Sequence, residues 1–265
     1  MIKINSVTVE AGSFPDGTML IKQGIPAEDR ITVEWFYEND RETLAVIYLV
    51  NHLKAHGKTD IHLFMPYIPN ARQDRVKTEE DIFTLKYFAS LINSLGLRSV
   101  TVLDPHSSVS EALIDNIVIL KPQKYIEEVI GEISAAEGET PSMFYPDEGA
   151  GKRYSGMIPL PYAFGIKKRD WQTGKILGLD LAGDTDSIQG KNVLIVDDIS
   201  SRGGTFYHSA KRLKEAGAKN IYLYVTHCEN TIFSGELLSD EIIKKIYTTN
   251  SILTKEHEKI KVFPL

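Results

Sequence analysis

Residues Val193 to Thr205 read as an apolar run, Val193-Leu194-Ile195-Val196, followed by two carboxylates, Asp197 and Asp198, and then by a turn rich in hydroxyls and glycine, Ser200-Ser201-Arg202-Gly203-Gly204-Thr205. Such a segment can hold a phosphate. Backbone N–H groups at a helix N-terminus, glycines that allow close approach and the hydroxyls of Ser200, Ser201 and Thr205 together form a cradle for an anion. The two acids at the end of the strand would face sugar hydroxyls or a magnesium ion. The bland alternative is a strand, a capping turn and a helix. It leaves two adjacent carboxylates at a buried edge as an unexplained electrostatic cost. No Gly-Lys-Ser/Thr closes the turn, so it is not an ATP-binding P-loop.

A second segment, Met65 to Arg75, contains Pro66 and Pro69 and then Arg72-Gln73-Asp74-Arg75. Arginine can stack on a base or fork onto phosphate, while Gln and Asp can read the amide and amino groups of a purine. Taken alone, the segment is as well explained by a solvated loop with an ion-pair network. Lys167-Lys168-Arg169 by default reads as a solvated basic run.

These residues need a scaffold, and the pattern around them supplies one. Short apolar runs alternate with segments of helical period, which implies parallel strands joined by crossover helices. In the first half, Thr43 to His56 sets Leu44, Ile47, Tyr48 and Leu53 at helical spacing, with Gly57 as its stop; the strand Asp60 to Met65 follows. A helix over Asp81 to Leu95, with Phe83, Tyr87, Phe88, Leu91 and Ile92 on one face, leads to the strand Ser99 to Leu103. Met1 to Gly24 reads as short antiparallel strands broken at Phe14-Pro15-Asp16-Gly17. After a loop expected around Gly131 to Pro141, the second half offers the strands Ser142 to Tyr145, Asn192 to Val196 and Asn220 to Thr226, with a helix over Thr205 to Ala216. Two similar α/β halves, each a mostly parallel sheet flanked by helices, are expected at 1–116 and 117–265.

Composition narrows the function classes. The chain has 265 residues, with 30 Lys and Arg against 36 Asp and Glu, a net charge of −6. That balance argues against extended nucleic-acid binding, though local basic clusters still suit small anions. The longest apolar run, Leu44 to Val50, is far short of the roughly 20 residues that cross a bilayer, and the N-terminus lacks a signal-peptide core. A cytoplasmic protein without a membrane partner is expected. The single cysteine, Cys228, cannot build a thiolate metal site, so any metal takes oxygen or nitrogen ligands.

The stretch Val193 to Thr205 resembles the signature of the type I phosphoribosyltransferases, an apolar strand, two acids and a Thr-Gly-Gly-Thr-like turn. Met65 to Arg75 is similar to the nucleotide loop of the ribose-phosphate pyrophosphokinases. Further matches follow in that family's order: Phe14-Pro15-Asp16-Gly17, Leu103-Asp104-Pro105-His106, Pro146-Asp147 through Arg153, Lys167-Lys168-Arg169, and Thr226-His227 with Phe233-Ser234-Gly235. The resemblance implies two phosphoribosyltransferase-like domains, the first for ATP and the second for ribose 5-phosphate. It further implies transfer of the β,γ-diphosphoryl group of ATP to the 1-hydroxyl, giving phosphoribosyl pyrophosphate and AMP. By the same resemblance Arg72, Gln73 and Asp74 contact ATP, and Phe14 and Asp16 reach the adenine of a neighbouring subunit in a homo-oligomer, dimer or hexamer. Asp197 and Asp198 face the ribose, while Ser201, Arg202, Gly203, Gly204 and Thr205 bind its 5-phosphate. His106 and Asp147 lie near Mg2+, and Lys167 and Arg169 clamp the reacting phosphates, with His106 beside them in catalysis. For His106 the alternative is a hydrogen-bonded structural histidine, and for Asp147 a cap on the turn at Glu148-Gly149. Several positions depart from the pattern. Thr18 replaces a glutamate, which leaves the choice between ATP and another nucleotide open, and Ser201-Arg202 replaces Asp-Thr. Two other functions remain open at this point: a phosphoribosyltransferase that consumes phosphoribosyl pyrophosphate with a base, and a non-catalytic paralogue that regulates a true synthetase.

Overall fold

Alternating burial builds the first sheet. In Arg30–Trp35, Ile31, Val33 and Trp35 point inward, and in Asp60–Phe64, Ile61 and Leu63 do the same. The computed structural model describes residues 1–169 and 176–265, with the backbone alone at 167–169 and 176–179. The chain divides into two units, Met1–Lys121 and Pro122–Leu265.

The first unit runs β1 (Ile2–Ile4), β2 (Val7–Thr8), β3 (Ala11–Ser13), β4 (Met19–Ile21), β5 (Arg30–Trp35), α1 (Arg41–Ala55), β6 (Asp60–Phe64), α2 (Thr84–Ser94), β7 (Ser99–Leu103), α3 (Val109–Leu113) and β8 (Ile117–Leu120). Its main sheet has the order β2-β1-β5-β6-β7-β8, parallel from β5 to β8 and antiparallel at β1 and β2, and β3 and β4 form a separate hairpin. The expected boundary between 116 and 117 cuts ahead of β8. That strand pairs with β7 from Val100↔Ile117 to Leu103↔Leu120, so its hydrogen bonds place it in the first sheet.

The helices hold a further correction. α1 buries Ala45, Val46, Leu49, Val50 and Leu53, leaving Leu44 and Tyr48 exposed; α2 buries Leu85, Phe88, Ala89 and Ile92, leaving Tyr87 and Leu91 exposed. Both helices are apolar over more than one stripe. Spacing therefore identifies the helix but does not choose which stripe meets the sheet.

The second unit contains α4 (Gln123–Glu137), β9 (Ser142–Tyr145), α5 (Glu148–Tyr154), β10 (Tyr162–Arg169), β11 (Ile176–Gly183), β12 (Val193–Ser200), α6 (Gly204–Glu215), β13 (Ile221–Cys228), β14 (Lys245–Thr249) and β15 (Ile260–Phe263). Its sheet order is β11-β10-β9-β12-β13-β14-β15, parallel except for the β10–β11 hairpin. Every residue of β13 is buried, as are Val193 to Val196 of β12. Strands covered on both faces read as continuous apolar runs, which is why β12 stands out in the sequence. Gly131, expected in a loop, lies inside α4, which ends at the left-handed Gly138 with φ 76°. Lys167-Lys168-Arg169, expected in a loop, forms the end of β10.

Candidate functional site

The loops that carry chemistry leave the C-terminal ends of parallel strands, where this class of sheet places its ligands. In the second unit β12 delivers Asp197 and Asp198 and passes through Ser201 and Arg202 into α6. Gly203 is the N-cap of α6, left-handed at φ 83°, and brings no capping side chain of its own. The N–H groups of a helix N-terminus and the positive end of the helix dipole suit an anion. Gly204 and Thr205 are exposed, and a Cβ added at Gly204 would meet nothing within 4 Å. The turn is open where a phosphate would approach.

The two aspartates differ in their surroundings. Asp198 is buried, and its Oδ2 lies 3.4 Å from Arg153 Nη1 of α5. Its own N–H donates to Asp197 Oδ1 at 2.9 Å. Burial, with Asp198 and then Asp147 nearby, pushes the Asp197 carboxyl well above the usual carboxylate range. Asp147 caps α5, where Oδ1 accepts the Ala150 N–H at 3.1 Å. The capping alternative therefore holds for Asp147, while its proximity to Asp197 keeps it in the acidic cluster. Of the two basic residues in α5, Lys152 pairs on the surface with Glu148 at 3.0 Å, and Arg153 turns inward.

In the first unit the loop after β6 is laced to β7. Met65 N–H donates to Thr101 O at 2.8 Å, and Leu103 N–H to Pro66 O at 3.0 Å. Ile68 and Ala71 are buried anchors, which leaves Arg72 and Gln73 exposed. Gln73 Oε1 accepts from Thr84 Oγ1 at 3.0 Å. Asp74 is buried and takes a two-toothed fork from Arg75, Nε to Oδ1 at 2.7 Å and Nη2 to Oδ2 at 2.8 Å. Ser107 Oγ donates to the same Oδ2 at 2.6 Å. The Arg75 hydrogen bonds, with Ser107 and the nearby His106, hold the Asp74 carboxyl far below the usual range despite its burial. Asp74 thus ties the loop that carries Arg72 and Gln73 to the one that carries His106. Phe14 is exposed at the tip of the β3–β4 hairpin, and Asp16 Oδ1 accepts both the N–H (2.9 Å) and the hydroxyl (2.7 Å) of Thr18. These bonds lower the Asp16 pKa. The threonine that replaces glutamate closes the turn.

His227 is buried and bonded through Nδ1 to Ser251 Oγ at 2.8 Å, a structural role. Lys167 and Arg169 are placed by their backbone at the end of β10, paired with Leu179 and Ile176; their side chains lie outside the described residues. Ser107 and the partnership of Arg153 with Asp198 were not foreseen. Only the charge of Arg153, among several charged neighbours, signals it in the sequence.

Comparison with known proteins agrees with this geometry. The phosphoribosyl transferase domain matches residues 157–257. The ribose-phosphate pyrophosphokinase of Saccharolobus solfataricus is 25% identical over 99% of this chain and 90% of its own length. That of Sulfolobus acidocaldarius is 29% identical over 93% and 85%, and that of Bacillus subtilis 29% over 83% and 68%. Over most or nearly all of its length the chain is similar to ribose-phosphate pyrophosphokinases. It is an enzyme of the transferase class. The fold is shared with the crystal structure of phosphoribosylpyrophosphate synthetase from Mycobacterium smegmatis, with a TM-score of 0.78 at 21% identity over 98% of this chain and 87% of that one. Among the described residues no helix is long and apolar enough to cross a membrane.

Proposed function

We propose that the protein transfers the β,γ-diphosphoryl group of ATP to the 1-hydroxyl of ribose 5-phosphate, yielding phosphoribosyl pyrophosphate and AMP. The observation that carries this reading is the glycine-opened turn after two carboxylates on β12, in a chain that also holds the Arg72-Gln73 loop after β6. A transferase that consumes phosphoribosyl pyrophosphate has no use for that second loop.

In this reading Ser201 to Thr205 grip the 5-phosphate through N–H groups, hydroxyls and Arg202, while Asp197 and Asp198 orient the ribose hydroxyls. Arg72 and Gln73 contact the nucleotide, and Asp74 holds their loop in place. The 1-oxygen attacks the β-phosphorus in line, the bond to the bridging oxygen breaks, and AMP leaves. Catalysis rests mainly on positioning and charge. Asp197, with its raised pKa, is suited to take the hydroxyl proton. Lys167 and Arg169, at the end of β10, supply positive charge to the transferring group. Phe14 and Asp16 serve a neighbouring copy, so the working form is a homo-oligomer.

A magnesium ion suits these donors. The repulsion that Asp147 and Asp198 impose on Asp197 is a surplus of negative charge that a divalent cation relieves. In the second unit Asp147 would help to hold it, and in the first His106 is the candidate contact for a metal-bound nucleotide; the ion would neutralise charge on the polyphosphate.

Purified protein given ATP, ribose 5-phosphate and magnesium should release AMP and phosphoribosyl pyrophosphate in equal amounts. Absence of AMP, with base-dependent consumption of phosphoribosyl pyrophosphate, would overturn the reading. Lys167→Ala should lower kcat about 100-fold while the ribose 5-phosphate KM stays nearly unchanged. Unchanged turnover would remove Lys167 from the clamp.

A further inference from the structure

The turn between β12 and α6 is shaped from behind by a segment that takes no part in the reaction as described. After β13 the chain passes through Glu229, the 3-10 turn Asn230–Ser234, Gly235 and Leu237 to Asp240. It touches the turn at four points. Glu229 N–H donates to Ser200 O at 2.8 Å. Tyr207 Oη, in the first turn of α6, donates to Asp240 Oδ2 at 2.9 Å. Leu237, fully buried, fills the space beside Gly203, where an added Cβ would meet its Cδ1 at 2.2 Å. Gly235 lies against the Arg202 carbonyl so closely that a Cβ there would stand 1.9 Å from the oxygen and 2.8 Å from the carbon. Lys259 Nζ fixes the segment in turn, donating to Leu237 O at 2.9 Å and to Asp240 O.

Gly203 and Gly235 are required for different reasons. Gly203 has φ 83°, a left-handed conformation that disfavours a side chain whatever the space. Gly235 has φ −103° and ψ 179°, which any L residue adopts. Its need for glycine is one of space alone. The obstructing atom is a backbone oxygen of the phosphate turn, so a methyl group at 235 can be admitted only by moving that backbone. Because real Cβ atoms essentially never approach within 3.0 Å, the shift is about 1 Å. A displacement of that size in a binding site can cost about 100-fold.

We infer that Gly235 is a positioning residue for the sugar-phosphate site, and that residues 229–240 set the direction of the N–H groups at Gly203, Gly204 and Thr205. The inference rests on the reading of Ser201 to Thr205 as a 5-phosphate cradle. In the test, the full chain, Gly235→Ala, Leu237→Ala and a control, Gly156→Ala, are compared by calorimetric titration with ribose 5-phosphate and by KM for each substrate. Gly156 is exposed, and a Cβ there meets nothing within 4 Å. Gly235→Ala should weaken ribose 5-phosphate binding at least tenfold, with the ATP KM within twofold of the parent and the control unchanged. Leu237→Ala, which removes the wedge without a clash, should weaken the same ligand severalfold, and it decides the matter if Gly235→Ala does not fold. General loss of packing would not single out one substrate. If the parent binds ribose 5-phosphate and the folded variants bind it equally well, the positioning role is wrong. If the parent fails to bind it, the cradle reading falls and this inference falls with it.

Discussion

The loop after β6 and the loop after β12 both carry polar groups beyond the end of a parallel strand, but they are held in place by different means. The first is fixed by side chains: the Arg75 fork and the Ser107 hydroxyl converge on the buried Asp74. The second is fixed through its backbone, pressed by Gly235 and Leu237 and left open at Gly204. The charges differ as well. Asp74 is compensated and its carboxyl is held down, whereas Asp197 faces Asp198 and Asp147 and its carboxyl is pushed up. On the proposed reading, a loop that recognises through an exposed arginine and glutamine needs only one internal ion pair as its anchor, whereas a turn that grips an anion with N–H groups needs the backbone itself located.

Substitutions can break this contrast, and the largest effect falls on the strained side. Asp197→Asn should weaken ribose 5-phosphate binding about 30-fold, the equivalent of one charge-assisted hydrogen bond of about 2 kcal/mol. The same change should raise Tm at pH 7 by about 2–4 °C. Because the folded pKa of Asp197 is raised, the cost it imposes is absent below the unfolded value near 4 and grows as pH rises toward the folded one. The thermal gain should therefore vanish in melts below about pH 4; a gain that is independent of pH would show that the carboxylate is not strained.

Arg153→Met leaves Asp198 buried without the guanidinium 3.4 Å away. Steady-state kinetics should show an approximately tenfold rise in the ribose 5-phosphate KM and little change in that for ATP. Equal changes in both would mean that Arg153 does more than hold Asp198.

The smallest effect belongs to the compensated loop. Asp74→Asn keeps an acceptor for Ser107 but loses the charged fork, and should lower stability by about 1–2 kcal/mol and raise the ATP KM about threefold. Here the sign is reversed. A depressed folded pKa gives stability that is present above the unfolded value near 4 and is lost as pH falls through the folded value. Denaturant melts should show a constant gap between parent and variant from pH 5 to 7, and a narrowing gap below about 4.

Much of the fold was legible because its signals are local. β12 and β13 are continuous apolar runs, and α6 carries a buried stripe at helical spacing closed by Gly217; α4 carries a similar stripe ended by Gly138 but was not expected, its second half from Gly131 reading as a loop. β8 was missed because a four-residue edge strand, half-buried at Ile117 and Ile119 and exposed at Val118 and Leu120, gains its identity only from pairing with β7. The β10–β11 hairpin was missed because Lys167 to Arg169 reads as a charged loop until its partner strand is known. In the candidate site the acids, glycines and hydroxyls of Asp197 to Thr205 were evident from type and spacing. The inward turn of Arg153 was not, since Lys152 beside it carries the same charge and faces solvent.

The sequence by itself determined which residues can do chemistry here: two adjacent carboxylates, a glycine-opened turn, and an arginine and glutamine on a proline-bounded loop. Type and spacing along one segment suffice, because a helix N-terminus and a strand end impose their geometry locally. Only the tertiary structure decided which of those groups are restrained and which are strained. Asp74 and Asp197 are the same residue type, and the next residue already sets them apart, Arg75 for one and Asp198 for the other. What the tertiary structure adds is the burial of both carboxyls and their neighbours distant in the chain, Ser107 for one and Asp147 for the other, because burial and Coulomb interaction depend on distance in space and not on position in the chain.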